Sequence, residues 1–277
     1  MKPLQIGVCS WSLAIKDLAK TLATIREELE IGAVQVGFFG EQIPTEAEHD
    51  AIVETVRGSG LEATATCVGF VGEDYSTIQR IAATGGFVPD ELFDVRCEQT
   101  IRTAKLTAKL GLTLLATHVG FVPHDTRDPK YAVMVDRLRR ITDAIGELGV
   151  TLLMETGQER AESLVRFIED VGRSNVRVNF DCANMVLYGA GDPVDAVEIL
   201  GNRIAHVHMK DATWSSTPGK TWGQEVPLGN GDADIPRVVS KLRAIGYQGP
   251  LVIEREGGTN RLGDIREGVE LLRSLVM

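Results

Sequence analysis

Short apolar runs rich in β-branched residues alternate with amphipathic stretches along the chain. The runs have the length of β-strands, and each is followed by a stretch whose apolar residues have helical spacing. Strands are predicted at 5–11, 33–38, 62–68, 113–119, 151–156, 176–181, 204–209 and 250–255. Helices are predicted after them, for example at 15–29, 131–149 and 234–246, and the last two end at a glycine, which suits a left-handed cap.

Strict alternation of strands and helices indicates parallel strands joined by right-handed crossovers. Eight such units in 277 residues predict an α/β fold, a single closed (β/α)8 TIM barrel that forms one domain over 1–277. The alternative is a doubly wound open sheet, which fewer units and a glycine-rich first turn would favour. The first turn here reads GVCSWS, so the barrel is the better prediction.

Two segments, 69–90 and 210–233, are longer than a connection between a strand and a helix needs to be. Both follow the carboxyl ends of predicted strands, which is where barrel enzymes carry their active sites. We therefore expect both segments to act as lids or binding loops.

Composition and charge limit the compartment and the partners. The chain is 43% hydrophobic and 25% charged, has no apolar run of about 18 residues, and begins MKPLQIGVCSW without the pattern of a signal peptide. We therefore expect a cytoplasmic protein with no membrane partner. A net charge of −10 without a basic stripe also argues against nucleic acid. A homo-oligomer is among the states that the sequence leaves open.

The four cysteines, Cys9, Cys67, Cys97 and Cys182, are scattered singly, and no two of them form a CxxC pair. Three of them lie inside apolar, strand-like runs. We expect reduced, buried thiols rather than disulfides or a cysteine metal site.

Polar side chains stand near the ends of four successive predicted strands. Glu155 and Asp181 are near the ends of the fifth and sixth, His208 of the seventh and Glu254 of the eighth. Strand ends meet around one mouth of a barrel, so these side chains are expected to converge. Each one alone is more commonly a helix cap, a loop residue or a core histidine. Together, three carboxylates would repel one another unless a dication lay between them.

Three carboxylates and one imidazole form a mostly oxygen ligand set. This set suits Mn²⁺, Mg²⁺ or Co²⁺ better than structural zinc, which prefers thiolates and several histidines. One divalent ion per chain is therefore predicted, with Mn²⁺ as the first choice and Mg²⁺, Co²⁺ or Zn²⁺ as the others.

Other side chains near the strand ends are candidates for binding a substrate. We expect His118 and Trp11 to line a sugar pocket, His118 by hydrogen bonding and Trp11 by stacking on the apolar face of the ring. Core packing is the alternative for Trp11. Gln158 is expected at the same mouth, with capping of the next helix as the alternative. Arg255 is expected to pair with a substrate or with Glu256.

Five segments carry a resemblance to a known family: METGQE, NFDCANM, HVHMKD, LGNGDADIP and GYQGPLVIERE. They resemble the corresponding segments of the xylose isomerase-like sugar phosphate isomerase/epimerase superfamily. That group includes ketose epimerases, inosose isomerases and dehydratases and, more distantly, endonuclease IV. The resemblance runs from IGVCSWSL to IERE. It implies a TIM barrel with Glu155, Asp181, His208 and Glu254 as metal ligands, and it places His206 one layer deeper in the barrel.

The chain departs from the ketose epimerases at three positions. Where those enzymes place a histidine, an arginine and a glutamate, this sequence has Asn184, Trp214 and Ala161. Those groups grip the terminal hydroxyls of the substrate, so the resemblance does not extend to a plain free ketose, and Asn184 is a substrate-binding candidate. The HMKD segment resembles the HxKD segment of inosose dehydratases. It makes Lys210 a candidate to hold an oxyanion or a substrate hydroxyl, with a solvated loop residue as the alternative.

The ligand set and the resemblance together predict a divalent-metal-dependent isomerase or epimerase. It would act on a keto-sugar or related polyol carbonyl compound through a metal-stabilised enediolate, with Glu155 and Glu254 transferring the proton. The alternative is an inosose or keto-sugar dehydratase, a lyase with the same metal site. Two further alternatives are a non-catalytic binding barrel and an endonuclease IV-like hydrolase, which needs more histidine than the five present. The expected partner is a small-molecule carbohydrate, phosphorylated or not.

Overall fold

The chain folds into a closed barrel of eight parallel strands surrounded by helices, in a computed structural model that describes residues 4–276. The strands are β1 (Ile6–Cys9), β2 (Ala33–Phe39), β3 (Glu62–Gly69), β4 (Leu114–Thr117), β5 (Thr151–Glu155), β6 (Val176–Asp181), β7 (Ile204–Met209), β8 (Asp211–Thr213), β9 (Gln224–Val226) and β10 (Leu251–Ile253). Strands β1 to β7 pair in chain order, and β10 closes the barrel by pairing with β7 and β1. The predicted α/β class and (β/α)8 TIM-barrel fold are confirmed.

The helices of the described residues are α1 (Leu18–Glu28), α2 (His49–Gly58), α3 (Ile78–Thr84), α4 (Phe93–Lys109), α5 (Pro129–Gly146), α6 (Ala161–Val171), α7 (Cys182–Tyr188), α8 (Pro193–Leu200), α9 (Ile235–Ala244) and α10 (Arg261–Val276). Aspartate–proline pairs define two of the starts. Asp128 before α5 and Asp192 before α8 each accept a backbone N–H of the first turn. Proline follows each aspartate, where its fixed φ suits the first helical position.

The predicted strand bounds agree with the structure to different degrees. β6 and β7 have the predicted bounds, whereas β1 ends at Cys9 and β10 at Ile253, both earlier than predicted. After β1 the backbone turns into a short 3-10 helix over Ser10–Leu13. This turn moves Trp11 out of the strand and to the mouth of the barrel.

The four cysteines are buried and free of disulfides, as predicted. Among residues 4–276, no helix has both the length and the apolar character needed to cross a membrane.

The two long segments after β3 and β7 carry structure of their own, which the sequence pattern did not predict. The first contains α3, and the second contains an antiparallel hairpin formed by β8 and β9.

Charged side chains fix both long segments by binding backbone atoms. The buried Arg96 donates to three carbonyl oxygens, those of Val71, Thr84 and Gly86. The buried Asp211 accepts four N–H groups, those of Ala212, Gly229, Gly231 and Ala233.

Candidate active site

The structure brings Glu155, Asp181, His208 and Glu254 together at the carboxyl-terminal mouth of the barrel. Glu155 and Asp181 are the last residues of β5 and β6, His208 is the penultimate residue of β7, and Glu254 directly follows β10. One ligand atom from each side chain lies within 4.8 Å of the others. The strand register accounts for this convergence, because Asp181 and Val252 both pair with His208 from the two neighbouring strands.

The imidazole of His208 stands at the centre of the cluster. Its Nδ1 lies 2.8 Å from Oε1 of Glu155, 3.8 Å from Oδ2 of Asp181 and 3.7 Å from Oε2 of Glu254. Its Nε2 lies 2.6 Å from the amide oxygen of Gln35, which can only accept a hydrogen bond. Nε2 therefore carries a proton, and Nδ1 faces the carboxylates. Burial lowers the pKa of His208, but the charges of the surrounding carboxylates outweigh it and raise the pKa to about 9.

Asp181 is fully buried, and only one of its two carboxylate oxygens has a hydrogen-bond partner within residues 4–276. Its Oδ1 caps α7 by accepting the N–H of Asn184 at 2.8 Å. Its Oδ2 has no hydrogen-bond partner within residues 4–276. Burial raises the pKa of Asp181 well above its usual range; Lys210 opposes the shift, and Glu254 and Glu155 add to it. A buried carboxylate oxygen without a donor, beside two other carboxylates, is costly unless a cation neutralises it. These residues fit a hard divalent cation.

Glu254 is held by a donor on each oxygen. Trp11 Nε1 donates to Oε1 at 2.8 Å, and Lys210 Nζ donates to Oε2 at 2.8 Å. Lys210 also donates to Oε2 of Glu256 at 2.6 Å, so it bridges two carboxylates. Burial raises the pKa of Glu254, but the charges of Lys210 and His208 outweigh it and hold the pKa at about 2. Glu254 is therefore ionised and fixed in orientation.

His206 lies one layer below His208 and does not join the cluster. Its Nδ1 lies 2.9 Å from the amide oxygen of Asn179, and its Nε2 lies 3.0 Å from Oγ1 of Thr64. The amide nitrogen of Asn179 lies 3.3 Å from Oε1 of Glu155. Burial, and then the neighbouring His208, lower the pKa of His206 well below its usual value. His206 is therefore neutral and orients the amide that contacts Glu155.

A cavity of about 490 Å³ opens above the cluster, and Glu155 and Glu254 form part of its wall. Four of the predicted substrate-binding residues, Trp11, His118, Asn184 and Lys210, also line it. The structure thus places most of the sequence-derived candidates around one space at the mouth of the barrel.

The other two predicted substrate-binding residues, Gln158 and Arg255, do not line this cavity. The amide oxygen of Gln158 lies 2.9 Å from Nε2 of His118, and its amide nitrogen donates to the carbonyl of Gly120. Gln158 therefore sits behind His118. The guanidinium of Arg255 is buried between two other carboxylates, those of Glu225 and Asp264, and does not pair with Glu256.

Sequence reasoning did not assign several residues that line the cavity. The main ones are the aromatic residues Tyr75, Tyr188 and Trp222. Glu256, which was expected to pair with Arg255 or with a substrate, lines the cavity and binds Lys210 instead of Arg255. Tyr75 and Trp222 belong to the two long segments, whose length was the only signal that they carry functional residues. Tyr188 is the last residue of α7, a position without a distinctive motif.

Comparisons with known proteins agree with this fold. The crystal structure of a xylose isomerase domain protein from Planctomyces limnophilus matches with a TM-score of 0.88 at 32% identity, over 99% of this chain and 98% of that one. The structure of a D-psicose 3-epimerase with D-tagatose from Clostridium cellulolyticum H10 matches with a TM-score of 0.72 at 15% identity, over 99% of each chain.

Among characterised sequences, the inosose dehydratase of Geobacillus thermodenitrificans is 27% identical over 147 residues. That match covers 47% of this chain and 48% of the dehydratase, so this chain spans about half the length of that relative. The family model for the xylose isomerase-like TIM barrel matches residues 26–275, which confirms the resemblance carried by the five sequence segments. The chain belongs to the xylose isomerase-like TIM-barrel family.

Proposed function

We propose that this chain is a single-domain, divalent-metal-dependent isomerase or epimerase that acts on a keto-sugar or related polyol carbonyl compound. The observation that carries the proposal is the convergence of Glu155, Asp181, His208 and Glu254 on one cavity, with an oxygen of Asp181 left without a partner within residues 4–276. The similar proteins include an epimerase and a dehydratase, and both names denote reactions of polyhydroxylated compounds.

The four clustered side chains would hold one divalent ion. When bound, the ion supplies Lewis acidity to the carbonyl and hydroxyl oxygens of the substrate. Three carboxylates and one imidazole favour Mn²⁺, Mg²⁺ or Co²⁺ over a thiolate-seeking metal. Gln35 fixes the ring of His208 from behind, and the N–H of Asn184 fixes one oxygen of Asp181.

Glu155 and Glu254 are the candidates for proton transfer, because both are ligand candidates that also line the cavity. One carboxylate would remove the proton from the carbon next to the carbonyl, and the same carboxylate or the other would return it. Return to the opposite face of the same carbon is epimerisation, and return to the neighbouring carbon is isomerisation. Trp11 and Lys210 hold the two oxygens of Glu254, so its position relative to a bound substrate is fixed.

A dehydratase is the second candidate, and the position of Lys210 favours it. Its buried ammonium faces the cavity between Glu254 and Glu256, where it could protonate a departing hydroxide after the carbon proton has been removed. The similarity to an inosose dehydratase supports the same possibility. Both reactions begin with removal of the same proton, and they diverge at the next step, where one returns the proton and the other expels hydroxide.

The test combines metal analysis with a substrate panel. Protein purified without chelator is analysed for metal and then incubated in D₂O with keto-sugars and inososes, with mass spectrometry and NMR as readouts. An isomerase or epimerase introduces solvent deuterium and otherwise conserves the mass of the substrate. A product lighter by one water replaces the isomerase with the dehydratase. No stoichiometric metal, together with neither deuterium exchange nor loss of water after Mn²⁺ addition, would refute both.

A further inference from the structure

A row of rings lines one side of the cavity and has no part in the proposed proton transfer. The ring centroids of Tyr75 and His118 lie 6.1 Å apart, those of His118 and Tyr188 6.5 Å apart, and those of Tyr188 and Trp222 4.6 Å apart. All four side chains line the same cavity as Glu155. We call these four side chains the aromatic row.

The aromatic row is assembled from four separate parts of the chain. Tyr75 lies in the segment after β3, His118 follows β4, Tyr188 ends α7, and Trp222 precedes β9. The segment that carries Trp222 is fixed to α7, because the N–H of Gly223 donates to the carbonyl of Leu187 at 3.0 Å. His118 and Tyr188 are almost entirely buried, and Tyr75 is 50% exposed at the outer end of the row. The row therefore extends from the interior of the cavity to its rim.

Planar rings beside polar groups are the side chains that bind sugar rings, because they cover apolar C–H faces while their polar tips meet hydroxyls. The tyrosines offer hydroxyls, and Trp222 offers an indole N–H. The keto-sugar proposed to react at the clustered carboxylates already has Trp11 beside it, where the indole donates to Glu254. A cavity of about 490 Å³ also exceeds the lower limit of about 300 Å³ typical of ligand pockets. The aromatic row thus offers a second ring-binding surface in the same space.

The charges around the cavity exclude an anionic group from that surface. The lining carboxylates are Glu73, Glu155, Glu225, Glu254 and Glu256. Within residues 4–276, Lys210 is the single lysine or arginine that lines the cavity, and two carboxylates already occupy its ammonium. A phosphate or carboxylate placed at the aromatic row, away from the proposed divalent ion, would meet repulsion from these carboxylates and find no lysine or arginine free to pair with it.

We propose that the aromatic row is a subsite for a second, uncharged ring, and that the substrate is therefore a neutral glycoside rather than a free monosaccharide or a sugar phosphate. The reacting keto-sugar sits at the clustered carboxylates, and the ring attached to it packs on the row. The identity of the reacting end rests on the proposed function, whereas binding at the row does not.

The test measures binding without turnover. Glucose, cellobiose, phenyl glucoside and glucose 1-phosphate are titrated by calorimetry into the intact chain, with and without Mn²⁺. We expect cellobiose or phenyl glucoside to bind about tenfold more tightly than glucose, the size of one well-placed ring contact, and glucose 1-phosphate to bind no more tightly than glucose. A preference for phenyl glucoside alone would assign the row to an aromatic aglycone, and a preference for both glycosides to a ring of either kind.

Two variants locate the contact. Tyr75→Ala and Trp222→Ala should each weaken glycoside binding about tenfold and leave glucose binding unchanged. Tyr75 is half exposed, so its replacement leaves folding intact even if that of Trp222 does not. Trp214→Ala is the matched control, because Trp214 is 38% exposed, lies in the same long segment as Trp222 and does not line the cavity.

Equal affinity for glucose and both glycosides would overturn the subsite, as would tighter binding of glucose 1-phosphate than of glucose in the absence of Mn²⁺. So would an equal effect of Tyr75→Ala on glucose and on a glycoside. These outcomes are separable from failure of the proposed function, because metal binding and deuterium exchange are measured independently. A preference for glycosides without metal binding would support the subsite. It would refute only the metal-dependent reaction.

Discussion

Asp181→Asn separates the proposed role of Asp181 as a metal ligand from its role as a helix cap. In the native chain, Oδ1 accepts the N–H of Asn184 at 2.8 Å, and Oδ2 has no partner within residues 4–276. Asparagine retains the capping oxygen and replaces the other oxygen with an NH₂ group, which can donate to a neighbouring carboxylate. The variant therefore relieves repulsion in the metal-free cluster and removes one anionic ligand from it.

The expected magnitudes follow from the linkage between metal binding and folding and from the cost of the unpartnered oxygen. A metal ion at 100 times its Kd stabilises the native chain by about 2.7 kcal/mol. At roughly 2–4 °C per kcal/mol for a domain of about this size, Mn²⁺ should raise the Tm by roughly 5–10 °C. Asp181→Asn should lose most of that shift. Without metal it should melt above the native chain, because an unsatisfied buried polar group costs about 1–3 kcal/mol.

The assay is thermal unfolding of chelator-treated protein, with and without added Mn²⁺. Asp192→Asn is the matched control, because Asp192 also caps a helix with its side chain but is exposed at the start of α8, outside the cluster, and it should keep the full metal-induced shift. An undiminished shift in Asp181→Asn would show that Asp181 is not a ligand. A metal-free Asp181→Asn protein that melts below both the native chain and Asp192→Asn would refute the argument from the unpartnered oxygen.

Three further variants test other parts of the site. Glu254→Gln keeps a ligand oxygen but not the base, so metal should remain while turnover in the deuterium-exchange assay falls by about 10²–10⁴; a loss only in proportion to lost metal would make Glu254 a ligand alone. Lys210→Met leaves the buried Glu254 without its cation and should destabilise the metal-free chain by about 3 kcal/mol in urea unfolding. An unchanged free energy of unfolding would contradict a stabilising ion pair between Lys210 and Glu254. Burial raises the pKa of Glu159 from 4.5 to about 7, so the folded chain holds a proton that the unfolded chain has released. The contribution of Glu159 to stability therefore falls as pH rises from 4.5 to 7, by up to about 3 kcal/mol, and is constant above that. Glu159→Gln should remove this slope in urea titrations at pH 5 and 8, and an unchanged slope would contradict it.

The barrel could be predicted because the period of the apolar residues and the alternation of elements both depend on local sequence. Turn-forming residues precede β6 and β7, and the predicted bounds of these strands match the structure. β10 ends before its predicted limit for a tertiary reason. The N–H of Arg255 donates to Oγ of Ser12 at 3.0 Å instead of to a neighbouring strand. No local pattern near residue 255 reveals a partner that lies 243 positions away.

The strand-end rule also brought the four clustered side chains to one place, and the same geometry explains why Arg255 behaves differently. Successive side chains of an extended segment point to opposite sides. Glu254 faces the mouth of the barrel, so Arg255 faces outward, where it binds Asp264 of α10. The position directly next to a candidate ligand on an extended segment is therefore expected to lie outside the cavity. Glu256, two positions after Glu254, points back to the cavity and binds Lys210.

The aromatic row could not be read from the sequence, because nothing local links Tyr75, His118, Tyr188 and Trp222. The long segments that carry Tyr75 and Trp222 are held by Arg96 and Asp211, and the partners of these two charged side chains are backbone atoms. A carbonyl oxygen or an N–H is present at nearly every residue. Contacts to the backbone therefore do not require a particular residue type in the segment that is held, and the sequence of that segment does not reveal them. The proposed metal ligands, in contrast, must be carboxylates or imidazoles, and that chemical restriction makes them recognisable in the sequence. The clustered carboxylates and imidazole of a barrel of this kind are therefore easier to predict from its sequence than the loop residues that would recognise the rest of the substrate.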